Sequence, residues 1–374
     1  MGGQDKVTKK TAIQLGAYGT VCLAILLVPS FVDDAFILNK YARFLVLGIL
    51  AMALSFSWGY SGILNLGQAV SFGLGSYCMA MALKLRTIPV HTGKAGLPDF
   101  MVWNNVTELP WFWVPFHSLT FGIVAGVALP VLLAAILGWF MFKGRITGVY
   151  VAIITLAWLV VFNLVVIDQQ KYTGGFNGIT DLAQLEVFGF TFDAYGSSLY
   201  YLIGVCLTVC LFLVFAITKS KAGLILQAIR DHEDRVRYFG YDVANFKIFA
   251  FSVSSGIAGL AGMLYTIVME FASPTFMDVQ LSLGIVIWCA VGGRQSLLGA
   301  MLGAIIVTGM QGALSESEMF LESWTLIMGF LFVVIVLFMP KGLAGLAEYL
   351  INQLTASRSG KSLDGETQNE GGVR

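Results

Sequence analysis

The sequence predicts an all-α polytopic membrane protein, and three observations lead to this prediction. The chain has 374 residues, of which 57% are hydrophobic and only 12% are charged, whereas about a quarter of the residues in an ordinary soluble domain are charged. Apolar stretches of about 20 residues, long enough to cross a hydrocarbon core, recur along the chain. The basic residues fall mainly between alternate stretches. This composition excludes a cytosolic enzyme and a disordered regulator, and a formal net charge of zero excludes a nucleic-acid binder.

About ten apolar segments form the predicted transmembrane set. They cover residues 12–30, 42–58, 62–83, 119–142, 146–167, 198–218, 248–269, 281–293, 296–314 and 323–339. No small-residue cleavage pattern leads up to Phe31, so we expect the first segment to be a membrane span and not a cleaved signal peptide. The expected organisation is a cytoplasmic tail over 1–11, a transmembrane domain over 12–343 with a cytoplasmic loop over 219–247, and a disordered, polar cytoplasmic tail over 344–374.

The placement of the Lys and Arg residues predicts the orientation in the membrane. If the N-terminus is cytoplasmic and the segments alternate, sixteen of the 22 basic residues lie on the cytoplasmic side, as the positive-inside rule requires. The six basic residues on the outer side are Lys40, Arg43, Lys84, Arg86, Lys94 and Lys171. The outer loop after the fifth segment also carries four acidic residues. Both termini are therefore predicted to be cytoplasmic.

Two of the ten segments differ from the rest, and their positions suggest an internal repeat. The third segment is rich in glycine and polar residues and the eighth is short. Each is third in its half if the ten segments divide as five plus five. Halves with an odd number of crossings have opposite orientations in the membrane, as in inverted-repeat transporters. The sequence therefore suggests a five-plus-five inverted repeat as a hypothesis.

The sequence shows no pattern typical of a metal site, a cofactor site or a catalytic group. The five cysteines lie in apolar segments, where cysteine packs as a small hydrophobe, and the three histidines are scattered in loops. Residues 360–362 (GKS) resemble the end of a phosphate-binding loop, but Thr355 stands where that motif needs its first glycine. We expect no enzymatic activity, metal or cofactor in this chain, so that ATP hydrolysis would take place on separate subunits. The scarcity of charge within the segments argues against ion-coupled transport.

The segment Gly59–Tyr77 combines five glycines with polar side chains inside an apolar region. Each glycine weakens a helix by about 1 kcal/mol relative to alanine, and polar groups are unfavourable against lipid. One interpretation is close helix packing through small residues. The other is a broken helix that lines a path through the membrane and offers neutral amide groups. The candidate path residues are Asn65, Gly67, Gln68, Ser71 and Gly73.

The largest predicted cytoplasmic loop, 219–247, contains six basic and four acidic residues. Residues 224–237 have the periodicity of an amphipathic helix, and Gly240 suits the end of such a helix. The expected apolar face consists of Leu224, Ile225, Ala228 and Ile229. The alternatives are a solvated linker helix and a docking helix for a cytoplasmic partner.

Three further motifs place glycine or proline near segment ends. Tyr172–Ile179 (YTGGFNGI) is typical of a tight turn in an outer loop. Ala272–Asp278 (ASPTFMD) ends an apolar segment with a proline. In the AVGGRQSLLGA motif, Gly292 and Gly293 interrupt the eighth segment, and we expect these two residues to form a hinge or helix break.

These motifs, in this order, resemble those of a known family. Residues 42–343 are similar to the membrane permease subunits of ABC importers of the branched-chain amino acid (LivM-like) type. The segments that carry the resemblance are GYSGILNLGQAVSFGLGSY, YTGGFNGI, GLILQAIRDHEDRVRYFGYDVANFKIFAF, FASPTF and AVGGRQSLLGA. The segments IVIWCAVGGRQSLLGA and WNNVTELPWFW resemble in particular the urea-transporting branch of that family.

The resemblance implies a multi-pass protein of the bacterial inner membrane that works in an assembly. The implied partners are a second related permease, two cytoplasmic ATP-binding subunits and an external solute-binding protein. The stretch AIRDHEDRVRYFG would be the coupling helix that contacts an ATP-binding subunit. This role is carried over to Ala228, Ile229, Arg230, Asp231, Glu233 and Gly240. His232 and Asp234 depart from the pattern of the amino acid permeases.

Three functions remain open on the sequence. The first is ATP-driven import of a small neutral solute, urea or a short-chain amide, which fits the uncharged segments and the polar groups of the candidate path. The second is import of a branched-chain amino acid, because the same small polar positions suit a zwitterion delivered by a binding protein. The third is a channel or facilitator that works without ATP. A channel has no need of a charged docking helix, so we expect an importer, with the small neutral solute as the expected substrate and the branched-chain amino acid as the alternative.

Overall fold

The structure is a computed structural model that describes residues 2–87, 96–187, 189–315, 326, 329–330, 333–334, 337 and 342–345. Its α-helices over the first three of these ranges are α1 (Gly2–Leu27), α2 (Ala35–Ser55), α3 (Gln68–Thr87), α4 (Asp99–Trp103), α5 (Leu119–Lys143), α6 (Val149–Asp168), α7 (Gln170–Thr173), α8 (Ser197–Lys219), α9 (Lys221–Tyr238), α10 (Val243–Met269), α11 (Val279–Gly292) and α12 (Leu297–Ser315). Strands β1 (Leu185–Val187) and β2 (Phe190–Phe192) form an antiparallel hairpin in which Leu185 is opposite Phe192.

Six of these helices are long and apolar enough to cross a membrane, judged by length and composition. They are α2 with the turn that extends it to Tyr60, α5, α6, α8, α10 and α12. Shorter apolar helices cover Gln14–Ser30 and Val279–Gly292. The prediction is confirmed in its coarse form, a mostly helical polytopic membrane protein, whereas the count of ten segments is not confirmed. The tenth predicted segment, 323–339, lies largely outside the described residues.

The third predicted segment becomes α3, which is central in the bundle and buried on almost every face. Its polar residues make it less apolar than the six candidate spans, and four of them, Gln68, Ser71, Ser76 and Lys84, are buried in protein. The neighbours α5 and α10 pack closely along it. A methyl group added at Gly75 would overlap the carbonyl oxygen of Gly259, and one added at Gly262 would overlap that of Phe72. Glycine at these positions lets the α3 and α10 backbones touch.

An outer layer surrounds this centre. Leu132 on α5, Leu164 on α6 and Val209 on α8 are each more than half exposed, as expected for apolar helix faces that meet lipid. In contrast, α2 and α10 bury most of their length. The fold therefore buries α2, α3 and α10 and leaves apolar faces of α5, α6 and α8 on the outside.

The bundle has two ends that are distinguished by their connections. The "α9 end" carries α9, which joins α8 to α10. The "hairpin end" carries β1, β2 and the short helices α4 and α7. Helix α1 begins at Gly2, so the predicted tail 1–11 is continuous with the first helix. The predicted tail 344–374 lies outside the described residues, apart from its first two residues.

Candidate translocation and coupling sites

A break in helical structure separates α2 from α3. Helix α2 continues through one π-helical turn, Phe56–Tyr60, after which residues 62–67 are not helical. Gly62 has φ +75°, a conformation that glycine adopts without strain. The break thus precedes α3, and Gly73 and Gly75 lie within a continuous helix. A break therefore exists in this segment, as the second interpretation expected, and its role in lining a path stays a prediction.

Side chains from two other helices and from the break itself satisfy the backbone of the break. The Leu66 amide donates to the hydroxyl of Thr155 on α6 over 3.1 Å, and the hydroxyl of Ser282 on α11 donates to the Leu66 carbonyl oxygen. The Gly67 amide donates to Asn65 Oδ1 over 2.9 Å. Non-helical backbone is tolerated at membrane depth only where protein or water satisfies its polar groups. These hydroxyls therefore hold the break in its observed shape.

The amides of Asn65 and Gln68 form a buried network that ties α3 to α10 and α2. Asn65 Nδ2 donates to Gln68 Oε1 over 2.6 Å, and Gln68 Nε2 donates to both the carbonyl and the hydroxyl oxygen of Ser254, each over 3.1 Å. The Ser254 hydroxyl in turn donates to the Ala53 carbonyl oxygen over 2.6 Å. Both amides are therefore engaged with protein groups in this conformation.

The predicted path residues fall into two groups. Asn65, Gly67 and Ser71 line a narrow crevice between α3, α5, α6 and α10. The crevice also receives Ser255, whose hydroxyl is buried and has no hydrogen-bond partner. Gly73 lies elsewhere, where an added methyl group would overlap the side chain of Met277. The structure thus brings three of the five predicted residues to one crevice, with Gln68 behind it.

At the α9 end, Arg230 joins the predicted coupling helix to the break. Its Nη1 donates to the carbonyl oxygen of Gly59 over 2.6 Å, while its Nη2 lies 2.8 Å from Oδ1 of Asp231. Gly59 also touches the turn between α11 and α12, because an added methyl group would overlap the carbonyl oxygen of Arg294. Ser55 Oγ donates to that same Arg294 oxygen over 2.9 Å. Three segments therefore meet at Gly59.

Helix α9 is amphipathic, but its buried face agrees with the predicted one only at Ile229 and, in part, at Ile225. Leu224 is 61% exposed and Ala228 is also exposed. The buried residues are Gly223, Leu226, Ile229 and Val236. Two causes explain the difference. Ile229 packs against Val236 and Val243, and this packing determines which face of α9 is buried. His232 has φ −150° and ψ 82°, so the helix is broken at that residue.

The second half of α9 is fastened to α10 by charged groups. Glu233 lies 2.5 Å from Lys247 Nζ on α10 and 2.8 Å from Arg237 Nη2. A separate pair joins Lys143, the last residue of α5, to Asp242 over 2.8 Å. The hydrogen bond from Lys143 holds the pKa of the Asp242 carboxyl below its usual value. Asp242 also caps α10 by accepting from the Asn245 amide.

The tip after α9 is exposed and aromatic. Tyr238 and Phe239 are 90% and 81% exposed, and Gly240 has φ +85° with open space around it. Gly240 therefore ends the helix as predicted. The periodicity of α9 predicts no role for these two aromatic side chains. Their exposure could be expected from the sequence, because two adjacent aromatic residues at the end of a charged helix are far from any apolar segment.

The two predicted hinge residues lie where α11 ends. Gly292 is the last residue of α11, and an added methyl group would overlap the carbonyl oxygen of Gly299. Gly293 follows with φ +109°, a value that disfavours other residues. The glycines thus permit a tight turn into α12. Their role as a hinge stays a prediction.

At the hairpin end, two of the sequence motifs meet. Ile179 of the YTGGFNGI turn exchanges backbone hydrogen bonds of 2.8 and 2.9 Å with Ala272. Asn163 on α6 donates to the carbonyl oxygens of Pro274 and Met277 over 2.8 and 3.1 Å. The turn 274–277 is thereby fixed against α3, where Met277 covers Gly73. Over the described residues, no cluster of three or more His, Cys, Asp or Glu residues forms that would hold a metal ion.

Comparisons of the sequence with known proteins find a family and several relatives. Residues 36–336 match the sequence model of a family described as the permease component of branched-chain amino acid transport systems. The permease protein LivM of the high-affinity branched-chain amino acid transport system of Salmonella typhimurium is 26% identical over 323 residues, which cover 79% of this chain and 67% of that protein. The LivM protein of Escherichia coli has the same identity and coverage.

A shorter part of the chain is similar to a permease named for ribose import. The ribose import permease protein RbsC of Haemophilus influenzae is 25% identical over 195 residues, which cover 49% of this chain and 57% of that protein. No solved structure matches. These relatives are named as transport permeases and not as enzymes. Because the family match spans most of the sequence, this chain belongs to the family of ABC-type permease components of branched-chain amino acid transport systems.

Proposed function

We propose that this chain is a membrane permease subunit of an ATP-driven importer, and that the imported solute is a branched-chain amino acid. The family description and the names of the LivM relatives support this choice of solute. The urea specificity expected from the sequence has no support among these relatives. The uncharged crevice at Asn65 and Ser71 is compatible with either solute, so the choice depends on the relatives.

The orientation in the proposal places the α9 end in the cytoplasm. Basic residues at that end include Lys143, Arg145, Arg230 and Arg294, whereas the loops at the hairpin end are rich in acidic residues, in line with the positive-inside rule. Both termini would then be cytoplasmic, and the protein would lie in the inner membrane of a bacterium. The tails 1–11 and 344–374 would lie on the same side as α9.

The observation that carries the proposed mechanism is the hydrogen bond between Arg230 and Gly59. An ATP-binding subunit that pulls on α9 would displace Arg230, and the 2.6 Å bond would transmit the displacement to the break between α2 and α3. The side-chain hydrogen bonds that Thr155, Ser282 and the Asn65–Gln68 pair make at the break can exchange partners. Solute would pass where these polar groups are released, so alternating access depends on the break.

The exposed tip supplies the surface for docking. Tyr238 and Phe239 project from the end of α9 beside the charged residues Asp231, Asp234 and Arg235. Exposed aromatics surrounded by charge are typical of interfaces between proteins. In the proposed assembly this tip contacts one of two ATP-binding subunits. A second permease and an external solute-binding protein would complete the importer.

The experiment that tests the proposal is reconstitution of the permease with its partner subunits in proteoliposomes. We expect ATP-dependent uptake of labelled leucine, isoleucine or valine that is abolished when the catalytic site of the ATP-binding subunits is inactivated. Labelled urea and ribose are the comparison solutes. Uptake of urea in preference to leucine would overturn the choice of solute. Leucine uptake that persists without ATP would identify a facilitator and overturn the importer.

A further inference from the structure

Lys84 is a buried charge near the hairpin end of α3. Its side chain is only 5% exposed, and its Nζ lies 2.7 Å from Asp99 Oδ1 and 3.9 Å from Asp181 Oδ2. Removing a charge from water is expensive, and a buried ion pair is often no more stable than apolar residues of the same volume. A charge kept in a membrane helix is therefore a sign of function. The mechanism above makes no use of Lys84.

The three charged groups are unequally accessible. The side chains of Asp99 and Asp181 are 38% and 80% exposed, so the carboxylates face outward while the ammonium group lies behind them. One cation and two anions leave the cluster with a net charge of −1. Asp181 also has φ +54°, a strained conformation for a residue other than glycine, of the kind that collects at binding sites. The cluster therefore suits a solute that carries a positively charged group.

Lys84 and Asp99 form one wall of an open pocket of about 170 Å³, and Asp181 follows Thr180, another residue of its lining. The opposite wall is the turn that contains Gly174, Asn177 and Gly178. Phe100 and the largely exposed Trp103 supply apolar surface. The pocket thus combines a cation, anions and an aromatic surface.

We propose that this pocket binds the zwitterion of an aliphatic amino acid before it crosses the membrane. The solute carboxylate would accept from Lys84 Nζ, and the solute ammonium group would donate to Asp99 and Asp181. A lysine ammonium has three donors and a carboxylate accepts several hydrogen bonds, so the 2.7 Å pair between Lys84 and Asp99 leaves room for both contacts. The aliphatic side chain would lie against Trp103. This inference deepens the proposed function and rests on it for the direction of transport.

The position of the pocket relates it to the rest of the path. Lys84 and Gln68 are sixteen residues apart on one continuous helix, which corresponds to about 24 Å at 1.5 Å per residue. The turn that walls the pocket is hydrogen bonded through Ile179 to Ala272, next to the turn that places Met277 on Gly73. The pocket therefore lies at one end of α3 and the Asn65 crevice near the other.

Direct binding tests the proposal without transport. Purified permease, without a solute-binding protein, is equilibrated with labelled leucine and challenged with two competitors. Isoamylamine has the ammonium group without the carboxylate, and 4-methylpentanoate has the carboxylate without the ammonium group. We expect saturable leucine binding, with each competitor at least tenfold weaker than unlabelled leucine. Absence of leucine binding, or equal competition by either analogue, would overturn the zwitterion site.

Matched variants assign the binding to this pocket. Asp181→Asn and Lys84→Met should each weaken leucine binding at least tenfold, whereas Lys171→Met, which removes an exposed lysine on the same end of the bundle, should leave it unchanged. Lys84 is buried, so Lys84→Met risks misfolding. The side chain of Asp181 is mostly exposed, so Asp181→Asn is the variant that decides the outcome. Unchanged binding in Asp181→Asn would overturn the assignment. Failure of the proposed function shows itself separately, as loss of ATP-dependent leucine uptake by the wild-type assembly.

Discussion

The carboxylate of Glu233 lies 2.5 Å from the ammonium group of Lys247, so the second half of α9 is attached directly to α10. Lys247 is largely buried, and its Nζ lies 5.8 Å from the centre of the Phe142 ring. His232 breaks the helix immediately before Glu233. The two halves of α9 are thus anchored independently, the first through Arg230 to Gly59 and the second through Glu233 to α10.

Loss of the Lys247 charge should destabilise the α9 end. Lys247→Met would leave Glu233 with Arg237 as its cationic partner, and a hydrogen bond to a charged group contributes about 1.5–3 kcal/mol. We expect the free energy of unfolding, measured by denaturant titration in detergent, to fall by about 1–3 kcal/mol. The control is Lys143→Met, whose ion pair is exposed and should change stability by less than about 1 kcal/mol. Equal losses in the two variants would contradict this account.

The pair of Lys143 with Asp242 predicts a small dependence of stability on acid pH. The folded-state pKa of Asp242 is lowered from 3.8 by its hydrogen bond with Lys143. A carboxyl group with a lowered pKa adds stability above its unfolded-state pKa, and this contribution is lost as the pH falls through the folded-state value. The stability of wild type between pH 7 and pH 5 should therefore contain the full contribution, and it should decrease below about pH 4.

Asp242→Asn is the matched variant for that measurement. Asparagine also caps a helix but carries no charge, so the variant should lack the part of the acid-induced loss that Asp242 causes. The thermal midpoint in detergent, followed from pH 7 to pH 3, gives the comparison. Identical pH profiles for the two proteins would show that the pair does not affect stability.

The buried amide network predicts a stability loss on removal of Gln68. Gln68→Leu would leave Asn65 Nδ2 and the Ser254 carbonyl oxygen without the partners they have now. An unsatisfied buried polar group costs about 1–3 kcal/mol. We expect a loss of that order in the free energy of unfolding, measured in detergent. Gln280→Leu, at an exposed position on α11, is the control and should lie within about 0.5 kcal/mol of wild type.

The contact between the α3 and α10 backbones predicts the effect of a single methyl group. In Gly262→Ala the new Cβ would overlap the Phe72 carbonyl oxygen, so the two helices must separate. Overpacking of this kind costs about 1–3 kcal/mol. Gly16→Ala on α1 has open space around it and should be neutral or stabilising by up to about 1 kcal/mol. If Gly262→Ala were as stable as Gly16→Ala, the close approach would be contradicted.

Much of the helical order follows from composition, and the break before α3 follows from its glycines. The residues that form hydrogen bonds to the break could not be predicted from the sequence. Thr155 and Ser282 are isolated hydroxyl residues in apolar helices. Nothing local separates Ser254, which is hydrogen bonded, from Ser252, whose hydroxyl has no partner. Only the packing of α6, α10 and α11 around the break makes that distinction.

Two further residues show where local patterns are insufficient. Lys84 counted in the sequence only as one of six outer basic residues, because its carboxylate partners Asp99 and Asp181 lie 15 and 97 positions further along the chain. The face of α9 was assigned from periodicity alone, which does not anticipate a break at His232 or the packing of Ile229 against Val243. In both cases contacts distant in sequence determine the environment of the residue.

The most direct test of the account is the coupling ratio of the Arg230→Ala variant, that is, the leucine taken up per ATP hydrolysed by the reconstituted assembly. The account predicts that the variant assembles with its partners and still hydrolyses ATP, while leucine uptake falls at least tenfold, because α9 no longer contacts Gly59. Lys221→Ala, which removes an exposed cation at the start of the same helix, should keep the wild-type ratio. A wild-type coupling ratio in Arg230→Ala would contradict the central claim.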